Sequence, residues 1–314
     1  MPADRDRPPR PRPLHRYGQN HLVDRGVLDA ILRQAAVRPD EVVLEVGAAD
    51  GLLTRPLLER ARTVHAFEVD RRYASRLERL AAGAPGLRVH LEDALKARLG
   101  ELDPQPTALV ANLAYNIAIP LVMTTVAQVP SIRRWAIMVQ KELGERLFAV
   151  PGTKAYAAVS VLTQFNCELE RARPVARSAF RPRPNVESAF VSFARRVAAS
   201  DGTWLVGTQP LDRDGYAVVE RLVRRAFAQR RKQLATSLAG ADPGAPSVPA
   251  PAGEGAAPVT SGVGAAPSGG HTIGRADVAR ALEAVSASPT ARPEELDPER
   301  WLAFARALGW LATS

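Results

Sequence analysis

The sequence predicts a doubly wound α/β domain followed by a helical segment, and three observations predict it. From about Tyr17 to Arg196, short apolar runs alternate with helical patterns, which implies a mostly parallel sheet with helices on both faces. After Tyr216 the pattern turns wholly helical. Between Ala239 and Gly270 there is no lysine or arginine, and nearly every residue is Ala, Gly, Pro, Ser or Val. Such a stretch buries too little to offset its chain entropy and reads as a flexible linker.

The elements follow in order. Apolar runs predict strands at Val42–Val46, Thr63–Val69, Leu87–Glu92, Ala108–Leu113 and Trp135–Gln140. Helical spacing predicts helices at Leu53–Arg62, Arg71–Ala82 and Ala118–Val129. The long apolar stretch from Ala108 to Val129 is broken by Asn112, Asn116 and Pro120, so it reads as a buried strand and a helix rather than a bilayer span. Residues 216–238 predict one helix with a strongly basic face, and residues 275–285 and 297–311 predict two amphipathic helices. Asp297 is placed to cap the last, with Pro298 at its first position. The expected organisation is a flexible basic arm at 1–16, a cofactor-binding catalytic domain at 17–199, and a helical domain at 210–314 interrupted by the linker at 239–270.

Composition narrows the function. The 314 residues carry 42 Lys+Arg against 33 Asp+Glu, a net charge of +9. That excess favours a polyanionic partner, because phosphate contacts release condensed counterions, although a generally basic surface gives the same balance. Hydrophobic residues at 46% and charged residues at 24% exclude a largely disordered or collagen-like chain. The single Cys167 rules out an intrachain disulfide or a cysteine zinc cluster and fits a reducing cytosol. The five histidines, His15, His21, His65, His90 and His271, form no ligand-spaced cluster, so no metal is expected. The start, rich in proline and arginine, has no apolar core for a secretory signal.

The chemistry gathers at strand ends. Leu44–Thr54 is a buried strand breaking into a glycine-bearing turn that opens a helix, where Gly47 and Gly51 let backbone approach a ligand. Twenty-one residues after Gly47, the next strand ends at Glu68, placed to accept a ribose hydroxyl pair. The third strand ends at Glu92-Asp93, where a carboxylate can meet an adenine amino group. Singly, these read equally well as a tight turn, a solvated strand end and a helix cap. Together, glycine, acid and acid at three consecutive strand ends are specific. The turn lacks the G-x-G-x-x-G spacing of dinucleotide sites, so a nucleoside cofactor without a pyrophosphate, such as S-adenosylmethionine, fits better. Asn112-Leu113-Ala114-Tyr115 closes the fourth strand. An Asn oxygen and a nearby carbonyl can orient an exocyclic amine, and an aromatic just beyond can stack on its base, which suits methyl transfer to adenine N6. The plainer alternative is that Asn112 caps the next helix and Tyr115 packs in the core.

These motifs resemble the ribosomal RNA adenine N6-dimethyltransferases. The resemblance rests on Gly18–Leu22, the Glu45–Thr54 turn, Asn112–Asn116, Met138–Glu142 with Glu145–Leu147, Pro151–Tyr156, Phe180–Ala189 and Phe227–Lys232, in that order. It runs from about Gly18 to Leu238 and resumes weakly in the last helices, and it is nearest the bacterial branch that modifies two adjacent 16S adenosines. It implies a Rossmann-like S-adenosylmethionine-dependent sheet with a smaller helical C-terminal domain, acting in the cytoplasm as a monomer on 16S rRNA of the pre-30S subunit, without membrane or metal.

Residue by residue, the resemblance gives Asn20 and Leu22 to a lid over the cofactor, Gly47 to its methionine part, Glu68 to its ribose and Asp93 to its adenine. Asn112 binds cofactor and target amine, the Leu113 carbonyl assists, and Tyr115 and Phe180 clamp the flipped base. Arg221, Arg224, Arg225, Arg230, Arg231 and Lys232 are the implied RNA contacts. The chain departs from the family at four points: Ala48-Ala49-Asp50 stands inside a turn that is usually Gly-Pro-Gly-x-Gly, Ala114 replaces a proline, His21 replaces a phenylalanine, and Ala239–Gly270 looks like an insertion. A Cβ at position 49 weakens the cofactor site if that position needs a positive φ. Two other activities compete: dimethylation of 23S rRNA adenine, and rRNA binding by an assembly factor weakened in turnover.

Overall fold

The computed structural model describes Pro11 and residues 20–197, 203–241 and 273–311. The basic arm at 1–16 apart from Pro11, the Gly18-Gln19 part of the first motif, His15, His271 and nearly all of the 239–270 linker lie outside the described residues.

The elements run β1 (His21–Leu22), α1 (Arg25–Ala35), β2 (Val42–Val46), α2 (Thr54–Leu58), β3 (Thr63–Phe67), α3 (Ala74–Ala82), β4 (Leu87–His90), β5 (Ala108–Asn112), α4 (Ala118–Gln128) and β6 (Arg134–Gln140). They continue with α5 (Lys141–Leu147), α6 (Ala158–Asn166), β7 (Cys167–Val175), β8 (Phe180–Arg181), β9 (Ser188–Arg195), β10 (Trp204–Val206), β11 (Gln209–Leu211), α7 (Arg213–Phe227), α8 (Leu234–Ser237), α9 (Arg275–Ala284) and α10 (Pro298–Ala307). The chain divides into two compact units, residues 1–141 with 170–193, and residues 142–169 with 194–314. The expected 17–199 block therefore differs from the observed division, because residues 142–169 fall in the second unit.

In the first unit a sheet is ordered β4-β3-β2-β5-β6-β9-β7. Its neighbouring pairs from β4 to β6 are parallel, with Val42 opposite Thr63, Val43 opposite Ala108 and Ala108 opposite Arg134. β2 is buried at all five positions, the continuous burial expected of a strand covered on both faces. The expected strands are present, but β3 stops at Phe67 and β4 at His90, because Glu68 and Asp93 turn their side chains back onto nearby backbone N–H groups. The expected 53–62 helix is only α2, after which Arg62 donates to the Glu41 carbonyl at 2.9 Å and the chain enters β3. The 71–82 pattern begins as a 3₁₀ turn capped by Asp70 before α3. Strands β7 and β9 lie outside the expected set; Ser188–Phe193 is a wholly buried run.

The second unit is mainly helical, with the hairpin β10–β11 pairing Trp204 with Leu211. Trp301, Phe304, Leu222, Val223, Val278 and Leu282 form its core, all 0% exposed. Tyr156 donates to the Leu296 carbonyl at 2.9 Å. Asp297 caps α10 as expected. The basic helix differs from expectation: α7 ends at Phe227, and 3₁₀-type bonds from Gln229 to Ala226 and from Arg230 to Phe227 wind residues 228–232 into turns before α8. Arg230, Arg231 and Lys232 are therefore on turns, not on the helix. The two sides of the undescribed segment meet: Gly240 donates to Ile273 at 2.9 Å, and Ile273 to Ala241 at 3.2 Å.

Candidate active site

Parallel strands end together, so β2, β3 and β5 deliver their following residues to one edge of the sheet. There the first unit holds a cavity of about 210 Å³. Asn20, Gly47, Glu68, Asp93, Asn112, Leu113, Tyr115 and Phe180 all line it, as do His21, Ala49, Val69 and Glu92. Leu22 does not; it is 5% exposed, packed in the core, and borders a smaller recess with Glu45 and Asp50. The six basic candidates, Arg221 to Lys232, belong to the second unit.

The turn after β2 alternates its handedness. Gly47, Ala49 and Gly51 have φ of +84°, +48° and +78°. Position 49 does adopt a positive φ, so the departure from glycine there sets a methyl-bearing residue in the left-handed region. Gly47 and Ala48 both donate to the Phe67 carbonyl, at 2.9 and 3.1 Å. The Glu68 carboxylate accepts from Ala49 N–H through Oε2 and from Asp70 N–H through Oε1, each at 2.8 Å. Burial pushes the Glu68 carboxyl above its usual range, and the two backbone bonds temper that shift. Asp93 Oδ1 accepts from Leu95 N–H at 3.0 Å, so it caps a turn while still facing the cavity.

At the end of β5, Asn112 Nδ2 donates to the Asn20 carbonyl at 3.1 Å. That bond uses the amide nitrogen and leaves Oδ1 as the acceptor end of the side chain. Leu113 N–H donates to Met138 O at 3.0 Å, fixing the Asn112–Leu113 peptide plane. The Tyr115 hydroxyl lies 3.2 Å from Oγ of Ser188, which is fully buried. Phe180 sits in β8, paired with Leu22 of β1, so the short ribbon β1–β8 carries Asn20 and Phe180 to the same cavity.

Sequence reasoning assigns no role to three residues at or beside the site. His21 lies 3.1 Å from the Tyr73 hydroxyl through Nε2. Ser188 has no signal beyond its place in the Phe180–Ala189 motif. Glu45 is 2% exposed, and its Oε2 has no hydrogen-bond partner among the described residues. Burial raises its carboxyl to about 8, tempered by the Thr54 hydroxyl and reinforced by Glu68. Among the described residues, no three metal-ligating side chains converge.

A doubly wound sheet whose successive strand ends carry a left-handed glycine turn, two carboxylates and an Asn followed by an aromatic defines a nucleoside-cofactor methyltransferase of the adenine-directed type. The sequence matches the profile of the family described as Ribosomal RNA adenine dimethylase over residues 13–245, and the chain belongs to that family. It is 42% identical to the Ribosomal RNA small subunit methyltransferase A of Thermobifida fusca, across 87% of this chain and 90% of the relative. It is 36% identical to the protein of the same name from Rubrobacter xylanophilus, across 95% and 96%. The crystal structure of the 23S rRNA methyltransferase ErmE aligns with a TM-score of 0.62 at 26% identity, covering 92% of this chain and all of that one. A Plasmodium falciparum dimethyladenosine transferase shares the fold, with a TM-score of 0.65 at 22% identity over 92% of this chain and 98% of that one.

Proposed function

We propose that the chain dimethylates N6 of two adjacent adenosines near the 3′ end of 16S rRNA, in the assembling small ribosomal subunit, with S-adenosylmethionine as donor. The observation that carries this reading is the convergence of Gly47, Glu68, Asp93 and Asn112 on one cavity beside two aromatics, Tyr115 and Phe180. The residues fit the cofactor. Glu68 and Asp93 offer the cavity two carboxylates suited to a ribose and an adenine amine, and Gly47 lines it with backbone alone, as a methionine chain requires. Bound there, S-adenosylmethionine supplies an electrophilic sulfonium methyl.

The protein's part is positioning. Asn112 Oδ1 and the Leu113 carbonyl accept from the target amine and draw its lone pair out of conjugation with the ring, toward the methyl. Tyr115 and Phe180 stack on the extruded base, and the product proton leaves to water. The small-subunit target follows from the relatives at 36–42% identity, all named small subunit methyltransferase A, against 26% for the 23S enzyme. Cytoplasmic action on pre-30S particles as a monomer completes the reading. Among the described residues, no helix is long and apolar enough to cross a membrane.

The test is transfer of labelled methyl to small subunits from a strain lacking the modification, with the products mapped by primer extension. Two adjacent dimethyladenosines near the 16S 3′ end are expected. Labelling only of large-subunit RNA would transfer the assignment to 23S rRNA, and rRNA binding without transfer to either would make the chain an assembly factor. With the wild type active, Asn112→Ala is expected to lose at least about a thousandfold in kcat while its far-UV spectrum and unfolding midpoint stay unchanged. Retained turnover would remove Asn112 from the methyl-transfer step.

A further inference from the structure

We propose that Glu68 is a positioning residue that holds the 47–51 turn in its cofactor-receptive shape, and that Ala49 makes this chain depend on that hold. The inference rests on the cavity being the S-adenosylmethionine site. Three positions of the turn have positive φ, and two of them are glycines, which adopt that region freely. Ala49 is the exception, at φ +48°, where its Cβ is crowded by the following carbonyl.

The first three N–H groups of the turn are all received at the tip of β3. Gly47 and Ala48 donate to the Phe67 backbone carbonyl, a partner that any residue at 67 would supply. Ala49 donates instead to the Glu68 side chain, at 2.8 Å. The only one of the three bonds that depends on residue type thus falls on the one crowded position. The other carboxylate oxygen accepts from Asp70 N–H, also at 2.8 Å, and Glu68 is 5% exposed, so the carboxylate is fixed and shielded from competing water. A glutamine at 68 keeps one acceptor oxygen and turns the other end into a donor, so Glu68→Gln must release either the turn or Asp70.

If Glu68 acted only by its own contact with bound cofactor, its replacement and that of Ala49 would have independent effects. A hold on the turn couples them. The experiment measures the S-adenosylmethionine Kd by equilibrium dialysis for the full chain, Ala49→Gly, Glu68→Gln and the double variant. Glu68→Gln is expected to weaken binding on the order of tenfold or more, the scale of losing one charge-assisted hydrogen bond. In the Ala49→Gly background that loss is expected to shrink at least about threefold, since a glycine holds the conformation unaided. Equal losses in both backgrounds overturn the proposal. The unfolding midpoint without cofactor gives a second, independent reading: the drop caused by Glu68→Gln should be smaller in the Ala49→Gly background, and equal drops again overturn it. Should the wild type fold yet fail to bind S-adenosylmethionine, the cofactor reading fails, and the midpoints still decide whether Glu68 holds the turn. Should Glu68→Gln alone not fold, soluble folded protein from the double variant supports the hold, and its absence counts against it.

Discussion

Asn112 illustrates how little at this site is left to a single side chain. Its amide nitrogen is committed to the Asn20 carbonyl, so the backbone at Asn20 and the direction of Asn112 Oδ1 are set by one bond. Tyr115 is held in the same manner by Ser188. Ser188→Ala removes a buried bond of about 1 kcal/mol and frees the ring to rotate. We expect kcat to fall roughly five- to tenfold. The Kd for S-adenosylmethionine should not change, and a loss confined to that Kd would place Ser188 on the cofactor side instead. Glu45 makes a pH prediction. Its carboxyl titrates at about 8 in the folded chain against an ordinary 4.5, so between those values the native state keeps a proton that the unfolded chain has lost. Unfolding then releases a proton, and stability falls as pH rises through that window, at a slope approaching about 1.4 kcal/mol per unit. Glu45→Gln should flatten this fall and gain most at pH 8. Midpoints measured from pH 5 to 8 that decline equally in both proteins would refute it.

At the scale of elements, the strands are easier to place from sequence than their ends. β2 and β5 are short runs, apolar but for Glu45 and the terminal Asn112, and their near-continuous burial matches strands covered on both faces. β3 ends two residues before its apolar pattern does, because Glu68 looks like a strand residue until its carboxylate is seen bonding the backbone at 49 and 70. α7 misleads for a related reason. Its basic pattern continues to Lys232, yet the Arg230 guanidinium is drawn to the carbonyls of Thr153 and Lys154, partners that helical periodicity cannot reveal. Arg224 is likewise spent on Glu220 at 2.8 Å. Of the six basic candidates, Arg231 and Lys232 are exposed, with no carboxylate partner among the described residues. Replacing both by alanine should lower the slope of log K for rRNA against log salt by roughly 1.5 and leave the unfolding midpoint unchanged. Replacing Arg224 and Arg230 should do the reverse, lowering the midpoint with little change of slope. Filter binding from 50 to 300 mM salt beside a thermal melt separates the two pairs.

For the whole molecule, the sequence discloses the fold class and the cavity but not the way the chain is shared between units. Residues 142–166 fall in sequence between β6 and β7 of the sheet, and only packing assigns them, with the first residues of β7, to the second unit. The alternating φ signs at 47, 49 and 51 are equally hidden, since alanine in a left-handed position leaves no compositional trace. The long Ala/Gly/Pro stretch, by contrast, is visible from composition alone, and the flanking backbone tells what its removal should do. Because Gly240 and Ala241 already bond Ile273, replacing residues 242–272 by a few glycines should leave methyl transfer within about twofold and the midpoint within a few degrees. A collapse of either would mean that the segment contributes contacts of its own.

That closed seam also bears on how fast the second unit assembles. α8 and α9 pack against each other, so before they can meet, the chain between them must close on itself. The search for that closure lengthens with every residue inserted, but only logarithmically, each doubling adding about 0.6 kcal/mol to the entropic barrier. The segment between α8 and α9 thus sets a modest kinetic burden, and the shortened chain should refold several-fold faster while unfolding at the parental rate.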